Sequence, residues 1–294
     1  MILSTIKDGF MLEGLRFGIS PCPNDTYIFA GLALGRVACS AGVPRFRLAD
    51  VEELNRWAVS AEPDVCKVSV AAAAGLLEDY VLLRSGGALG WGVGPILAVK
   101  EGPAGGALEA LRGRVAVPGK HTTATLLFSM LAREQGLDVE LVEMVYDQVI
   151  PAVASGACAA GLVIHEGRFV LGSHELAALL DMGAWWEGRT GLPLPLGCIV
   201  ARRSLGTERL AALDRSIRAS IAYAEGFSHD VREYIAEHAQ ELDEQVVLRH
   251  IETFVTEYSS DVGREGEQAL AALLRESARL NNRPWPVRDW IVPA

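Results

Sequence analysis

Short apolar runs of five or six residues alternate with longer segments of helical periodicity along the first two thirds of the chain. LRFGIS precedes a polar turn and TYIFAGLALGR, FRLADV precedes EELNRWAVS, and DVCKVS precedes the alanine-rich VAAAAGLLEDY. That alternation predicts parallel β-α-β units. A second set starts at RVAVPG and continues through the helical TTATLLFSMLAREQ, stopped by Gly136, then VELVEMVY, the helical DQVIPAVASG and the strand AGLVIH. Beyond Leu205 the pattern is almost wholly helical, in RLAALDRSIRASIAYAE, DVREYIAEHAQ, DEQVVLRHIETFVTEYS and EGEQALAALLRESARL, before a proline-broken tail.

Two passages punctuate this order. RSGGALGWGVGPILAVK carries five glycines between Gly86 and Gly94, and TGLPLPLGCIVARR is a second proline-and-glycine stretch. They predict two crossings between a discontinuous outer α/β lobe, 1–98 plus 201–294 with the C-terminal helices, and an inserted α/β lobe, 99–200. The glycine run precedes an apolar strand rather than leading out of a strand into a helix. It therefore reads as a hinge or turn, not as a dinucleotide loop.

With 294 residues, 50% hydrophobic and 22% charged, the chain has ample apolar material for a sizeable core. A formal net charge of -10 and no Lys/Arg block argue against nucleic acid or an anionic membrane as the main partner. A small-molecule ligand is expected instead. Cys22, Cys39, Cys66, Cys158 and Cys198 are widely spaced, with no C-x-x-C pair, which fits a reducing compartment and gives neither a disulfide framework nor a zinc ribbon. The opening MILSTIKDGFMLEG has neither a signal-peptide core nor a spanning segment, so the expected location is cytoplasmic; Met11 is as good a start as Met1.

Candidate chemistry collects at presumed strand ends. PCPNDT, with Asn24 and Asp25, KVS, with Lys67 and Ser69, KHTTA, with Thr122 and Thr123, and His165 in LVIHEGRF all fall where open α/β sheets bind ligands. Each has a plainer reading: Asp25, Ser69 and Thr122 as helix caps, Lys67 as a solvated strand-edge lysine, His165 as a satisfied structural ring. Convergence favours the ligand site. Paired hydroxyls at a helix start would cradle a carboxylate, and an imidazole at a buried strand end is a candidate base. Cys22 lies near a helix start, but no histidine is close in sequence and a small buried cysteine is the commoner case. His121 adjoins the threonines; His238 and His250, on charged helices, read as surface residues; His174 and His229 complete a set without ligand spacing, and no metal is expected. Trp185 and Trp186 suit packing more than ligand stacking. Glu166 should point away from His165 if the strand continues.

The segments SPCPNDT, DVEELNRWA, KVS, RSGGALGWGVGP, VAVPGKHTTA, LVIHEGRF and DMGAWWEGRTGLPLPLG together resemble the 1,4-dihydroxy-6-naphthoate synthases of the futalosine route to menaquinone, over about Leu15 to Glu267. The resemblance implies a fold similar to type 2 periplasmic binding proteins, two α/β lobes with a ligand cleft between them, used as an enzyme. It implies a lyase that converts cyclic dehypoxanthine futalosine to 1,4-dihydroxy-6-naphthoate without metal or redox cofactor. By motif match His165 would be the proton-abstracting base, and Lys67, Val68, Ser69, Thr122 and Thr123 would contact the substrate. Asp25, by position alone, would orient the substrate or hold the imidazole tautomer. The alternatives are a chorismate dehydratase of the same superfamily, a non-catalytic small-carboxylate-binding protein, and a cysteine-dependent enzyme built on Cys22.

Overall fold

The computed structural model describes residues 14–101, 108–239, 243–285 and 289–294; the candidate starts Met1 and Met11 lie outside them. Strand β1 (Leu15–Ile19), α1 (Pro23–Ala33), β2 (Pro44–Leu48), α2 (Val51–Val59), β3 (Val65–Ser69) and α3 (Val70–Ala73) come first, followed by β4 (Tyr80–Leu82) and β5 (Ala88–Gly90). A second series contains β6 (Ile96–Lys100), β7 (Gly113–Val117), α4 (Thr123–Gln135), β8 (Val139–Glu143), α5 (Val149–Ala154), β9 (Ala160–Val163) and β10 (Leu176–Asp181). Helix α6 (Met182–Thr190) and β11 (Leu194–Arg202) lead back to α7 (Gly206–Glu225), α8 (His229–His238), α9 (Glu244–Phe254), α10 (Glu257–Ser260) and α11 (Gly263–Leu280).

The strands form two mixed sheets. The first has the order β2-β1-β3-β11-β4, with β5 paired to β11; the second has the order β10-β6-β9-β7-β8. Strand β1 runs parallel to β2 and β3, and β7 runs parallel to β8 and β9. Strands β6 and β11 run antiparallel to all their neighbours, which departs from the all-parallel expectation. The reason is where each begins. Ile96 at the start of β6 pairs with Val163 at the end of β9, and Gly197 near the start of β11 pairs with Ser69 at the end of β3. A chain entering a sheet from the end where its parallel strands finish must run against them. Because β6 belongs wholly to the second sheet and β11 wholly to the first, boundaries after 98 and 200 would cut both strands; the crossings fall at 91–95 and 182–193.

Local sequence explains the elements that matter for the cleft. Helix α1 starts with Pro23, whose fixed φ suits the first helical position, and it is buried on every side from Pro23 to Leu32, hence its apolar composition. Helix α4 is capped by Thr122, whose side chain accepts from the Thr125 N–H, and ends at Gly136 with φ of 61°. The two crossings touch at glycines: a Cβ on Gly94 would lie 2.0 Å from the Gly183 nitrogen and 2.3 Å from its Cα. The Met182 N–H donates to the Pro95 carbonyl at 2.9 Å beside them. One buried apolar cluster joins Val68, Leu82 and Val200 of the first sheet to Leu97, Val115 and Leu162 of the second. Among the described residues no helix is long and apolar enough to cross a membrane.

Candidate active site

The carboxyl ends of β1, β3, β7 and β9 open on one cleft, about 720 Å³ with the open solvent at its mouth included. Asp25, Lys67, Val68, Ser69, Thr122, Thr123 and His165 all line it. The first crossing contributes too, through Gly94 and Pro95, and the start of β11 adds Leu196 and Gly197.

Past β9 the chain leaves the extended conformation at once. His165 opens a tight turn, His165–Phe169, with its own φ at 54°. For a residue with a Cβ that left-handed conformation costs roughly 1–2 kcal/mol, and strain of this kind is kept where surrounding contacts impose it. Those contacts are visible. The Tyr146 ring meets the imidazole edge-on at 5.0 Å between centroids, the His250 ring stacks on it at 6.0 Å and 15°, and Cys22 Sγ lies 3.7 Å from Nδ1 and 4.0 Å from Nε2. Burial lowers the His165 pKa below its ordinary value, against the opposing pull of the Glu166, Asp50 and Asp25 carboxylates. The ring is therefore neutral at neutral pH and able to accept a proton.

Cys22 thus has a histidine against it, contrary to the expectation from sequence, because folding brings β9 over the start of α1. Burial pushes its thiol pKa far up, and the hydrogen bond with Ser20 offsets only part of that. A protonated thiol does not support the cysteine-nucleophile alternative.

Asp25 and Lys67 are both buried, 1% and 6% exposed, and form an ion pair. Lys67 is accordingly no solvated edge lysine. Asp25 Oδ2 accepts from the Ser20 N–H at 3.1 Å and its hydroxyl at 2.8 Å, while Oδ1 accepts from Asn24 Nδ2 at 3.1 Å and from Lys67 Nζ. Those contacts occupy both oxygens, so Asp25 does not hold the His165 tautomer directly, and neither it nor Asn24 caps α1, whose N-cap position is Cys22. Ser69 occupies the N-cap position of α3 but turns its hydroxyl to Asn55 Nδ2 at 3.2 Å, and its N–H donates to Asn55 Oδ1 at 2.9 Å. The Thr122 hydroxyl donates to the Gly119 carbonyl at 2.9 Å and that of Thr123 to the Leu196 carbonyl at 2.8 Å. Each hydroxyl has spent its one hydrogen on the protein. In the first turn of α4 the N–H groups of Thr123 and Ala124 lack an intrahelical carbonyl partner, while that of Thr125 is taken by the Thr122 hydroxyl.

Several neighbours escaped sequence reasoning. His250 is 1% exposed rather than a surface residue; Val247, His250, Ile251 and Phe254 form one apolar stripe of α9, a signal that Arg249 and Glu252 obscured. Its Nε2 lies 3.0 Å from Asn24 Oδ1 and its Nδ1 lies 3.4 Å from Glu166 Oε2. Glu166 therefore turns toward the first sheet and its helices, not away from His165, because the chain is a tight turn and not a strand there. Arg168, three residues past His165, also lines the cleft and donates to the Gly92 carbonyl at 2.8 Å. His121 instead bonds Glu52 through Nδ1 at 2.6 Å, and Trp186, 1% exposed, donates to the Pro193 carbonyl, so packing explains it.

Donor atoms of His165, Glu166 and His250 lie within 4.8 Å of one another, the one grouping of three such ligands among the described residues. It is a poor cation seat. Imidazole lone pairs lie in the ring plane, and two rings stacked at 15° do not aim them at a common point.

The family model described as menaquinone biosynthesis matches residues 15–279. The chain belongs to that family. It is 51% identical, over 90% of its length and 94% of the relative's, to the 1,4-dihydroxy-6-naphtoate synthase of Thermus thermophilus. A crystallised protein of Archaeoglobus fulgidus superposes with a TM-score of 0.82 at 32% identity, covering 92% of this chain and 98% of the other. The periplasmic aliphatic sulphonate binding protein of Escherichia coli shares the fold at a TM-score of 0.64 and 14% identity, over 92% of this chain and 87% of its own. This member of the menaquinone biosynthesis family is thus an enzyme on the periplasmic-binding-protein fold, as expected from the sequence.

Proposed function

We propose that the protein is a cytoplasmic lyase that converts cyclic dehypoxanthine futalosine to 1,4-dihydroxy-6-naphthoate. The observation that carries the reading is a neutral, desolvated imidazole at His165 in a cleft whose far side is the start of α4. The substrate carboxylate is received by the first-turn N–H groups of α4, beside Thr122 and Thr123, where the helix dipole favours a negative charge. Lys67, Val68 and Ser69 form the adjoining wall, and Asp25 holds the Lys67 ammonium in place. His165 takes a proton from the substrate. The electron pair released makes the ring system aromatic and expels the sugar-derived fragment, and the imidazolium returns its proton as that fragment leaves. The two sheets mark two lobes whose approach excludes water during these steps. The names of the relatives favour this reading over a chorismate dehydratase.

The test is to incubate the purified protein with cyclic dehypoxanthine futalosine and follow naphthoate formation by absorbance. His165→Asn should lower kcat by about 10²–10⁴-fold, the range for loss of a general base. No product from the wild type removes the assignment, and full activity in the variant removes His165 as the base.

A further inference from the structure

The atoms around His250 force a proton count. Asp25, ion-paired with Lys67, can only accept hydrogen bonds, so the Asn24 amide must turn its NH₂ toward Oδ1 at 3.1 Å. That leaves Asn24 Oδ1 facing His250 Nε2 at 3.0 Å, and an oxygen there requires an N–H. His250 Nδ1 then faces Glu166 Oε2 at 3.4 Å as a charge contact, and neither atom has a hydrogen-bond partner. A bare nitrogen lone pair against a carboxylate, both buried, would be repulsive with no water to relieve it.

We infer that His250 and Glu166 are a positioning pair that stores one proton, as imidazolium and carboxylate, directly behind His165. The inference rests on the reading of His165 as the base. Burial presses on Glu166, but the contact and charge of His250 and the nearby His165 pull it down to about 2, so Glu166 is the ionised member of the pair. Burial lowers the His250 pKa below its ordinary value, with the ionised Glu166 opposing it, so a proton at Nδ1 is called for by the lone-pair repulsion there and not by the titration of the ring. The groups facing the pair are His165 from the same turn as Glu166, Asn24 and Asp25 from α1 with Lys67 behind them, and the Phe254 ring of α9 at 4.7 Å. His165 itself also faces Asp50, Cys22 and Tyr146.

Two consequences follow for the base. The His250 ring, stacked at 6.0 Å, supplies a like charge that keeps His165 neutral, while Glu166 cancels the field of that charge further out. Glu166 also ties the strained turn after β9 to α9, so the pair links the second sheet to the C-terminal helices and fixes where the imidazole stands.

The pair makes an asymmetric prediction. In Glu166→Gln the proton leaves with the carboxylate and the net charge behind His165 is unchanged, so whatever the fall in kcat from the lost tie, the acidic limb of its pH profile should not move. In His250→Gln the carboxylate is left unbalanced, and the limb should move upward by about one pH unit. The double variant should bring the limb back, which a merely structural role for His250 would not do. Independently of turnover, ¹⁵N-histidine spectra of the EDTA-treated protein at pH 7.5 should show both His250 nitrogens protonated in the wild type and only Nε2 in Glu166→Gln. A bare Nδ1 in the wild type, an unmoved limb in His250→Gln, no restoration in the double variant, or His250 signals that change on EDTA treatment overturns the inference. If the wild type does not turn over the cyclic substrate, the functional reading fails while the spectra, including titration of His165, still decide the proton count.

Discussion

At the scale of single residues the site is held by charges that have no water to fall back on. His165 is pulled below its ordinary value of 6.5 mainly by burial. With His165 as the proposed base the neutral form is the working one, so activity should be full above that lowered value and lost as pH falls through it. The acidic limb of kcat/KM should thus lie below pH 6.5, and a limb above 7 would contradict the burial argument. Lys67→Met should be far more damaging than a surface lysine change, since it leaves Asp25, 1% exposed, without its counter-ion. A loss of about 3–5 kcal/mol in urea unfolding is expected, with recovery in Lys67→Met/Asp25→Asn; equal loss in single and double variants would show that packing alone is at stake. His165, Lys67, Ser69 and the threonines were legible in sequence because they follow apolar runs that end in turns. Glu166 was not, because its direction depends on the positive φ of His165, which no local pattern of LVIHEGRF announces.

Among the elements, α4 carries the clearest division between structural and ligand-facing roles. Thr122 is its N-cap, a role legible from the KHTTA sequence, and its hydroxyl both accepts from the Thr125 N–H and donates to Gly119. Thr122→Ala should cost about 1 kcal/mol of stability and Thr122→Ser far less, read from the midpoint of urea unfolding. KM should rise in the alanine variant, since the N–H groups proposed to receive the carboxylate belong to the turn that the cap holds. An unchanged KM alongside the stability loss would detach the helix start from the substrate. The sequence pattern placed this helix and the parallel strands beside it correctly, because caps and apolar periodicity are local. It did not show that β6 and β11 run antiparallel, since strand direction is set by the end of the sheet at which the chain arrives.

For the whole molecule, the junction of the two crossings is the decisive place, because every cleft residue belongs to one side of it or to the junction itself. Gly94 and Gly183 bring the two crossing backbones into contact, and a Cβ at Gly94 would overlap the Gly183 nitrogen at 2.0 Å, an atom that cannot swing aside as a side-chain tip can. Gly94→Ala should therefore force the crossings apart, with a penalty of about 1–3 kcal/mol or more for overpacking and a fall in Tm of several degrees. Gly172→Ala is the control: a Cβ there meets nothing within 4 Å, so its Tm should stay close to that of the wild type. The glycine run, expected as a hinge or turn, holds the first connection between the sheets, but its partner Gly183, inside DMGAWWEGRTG, was not legible, because only the fold brings the two stretches together. The same displacement should reach catalysis, since Pro95, at the end of the first crossing, and Leu196, in the strand that follows the second, both line the cleft. Gly94→Ala should lower kcat/KM more than its stability loss explains when both are measured well below the unfolding range. A normal kcat/KM in a destabilised Gly94→Ala would mean that the junction holds the molecule together without setting the cleft.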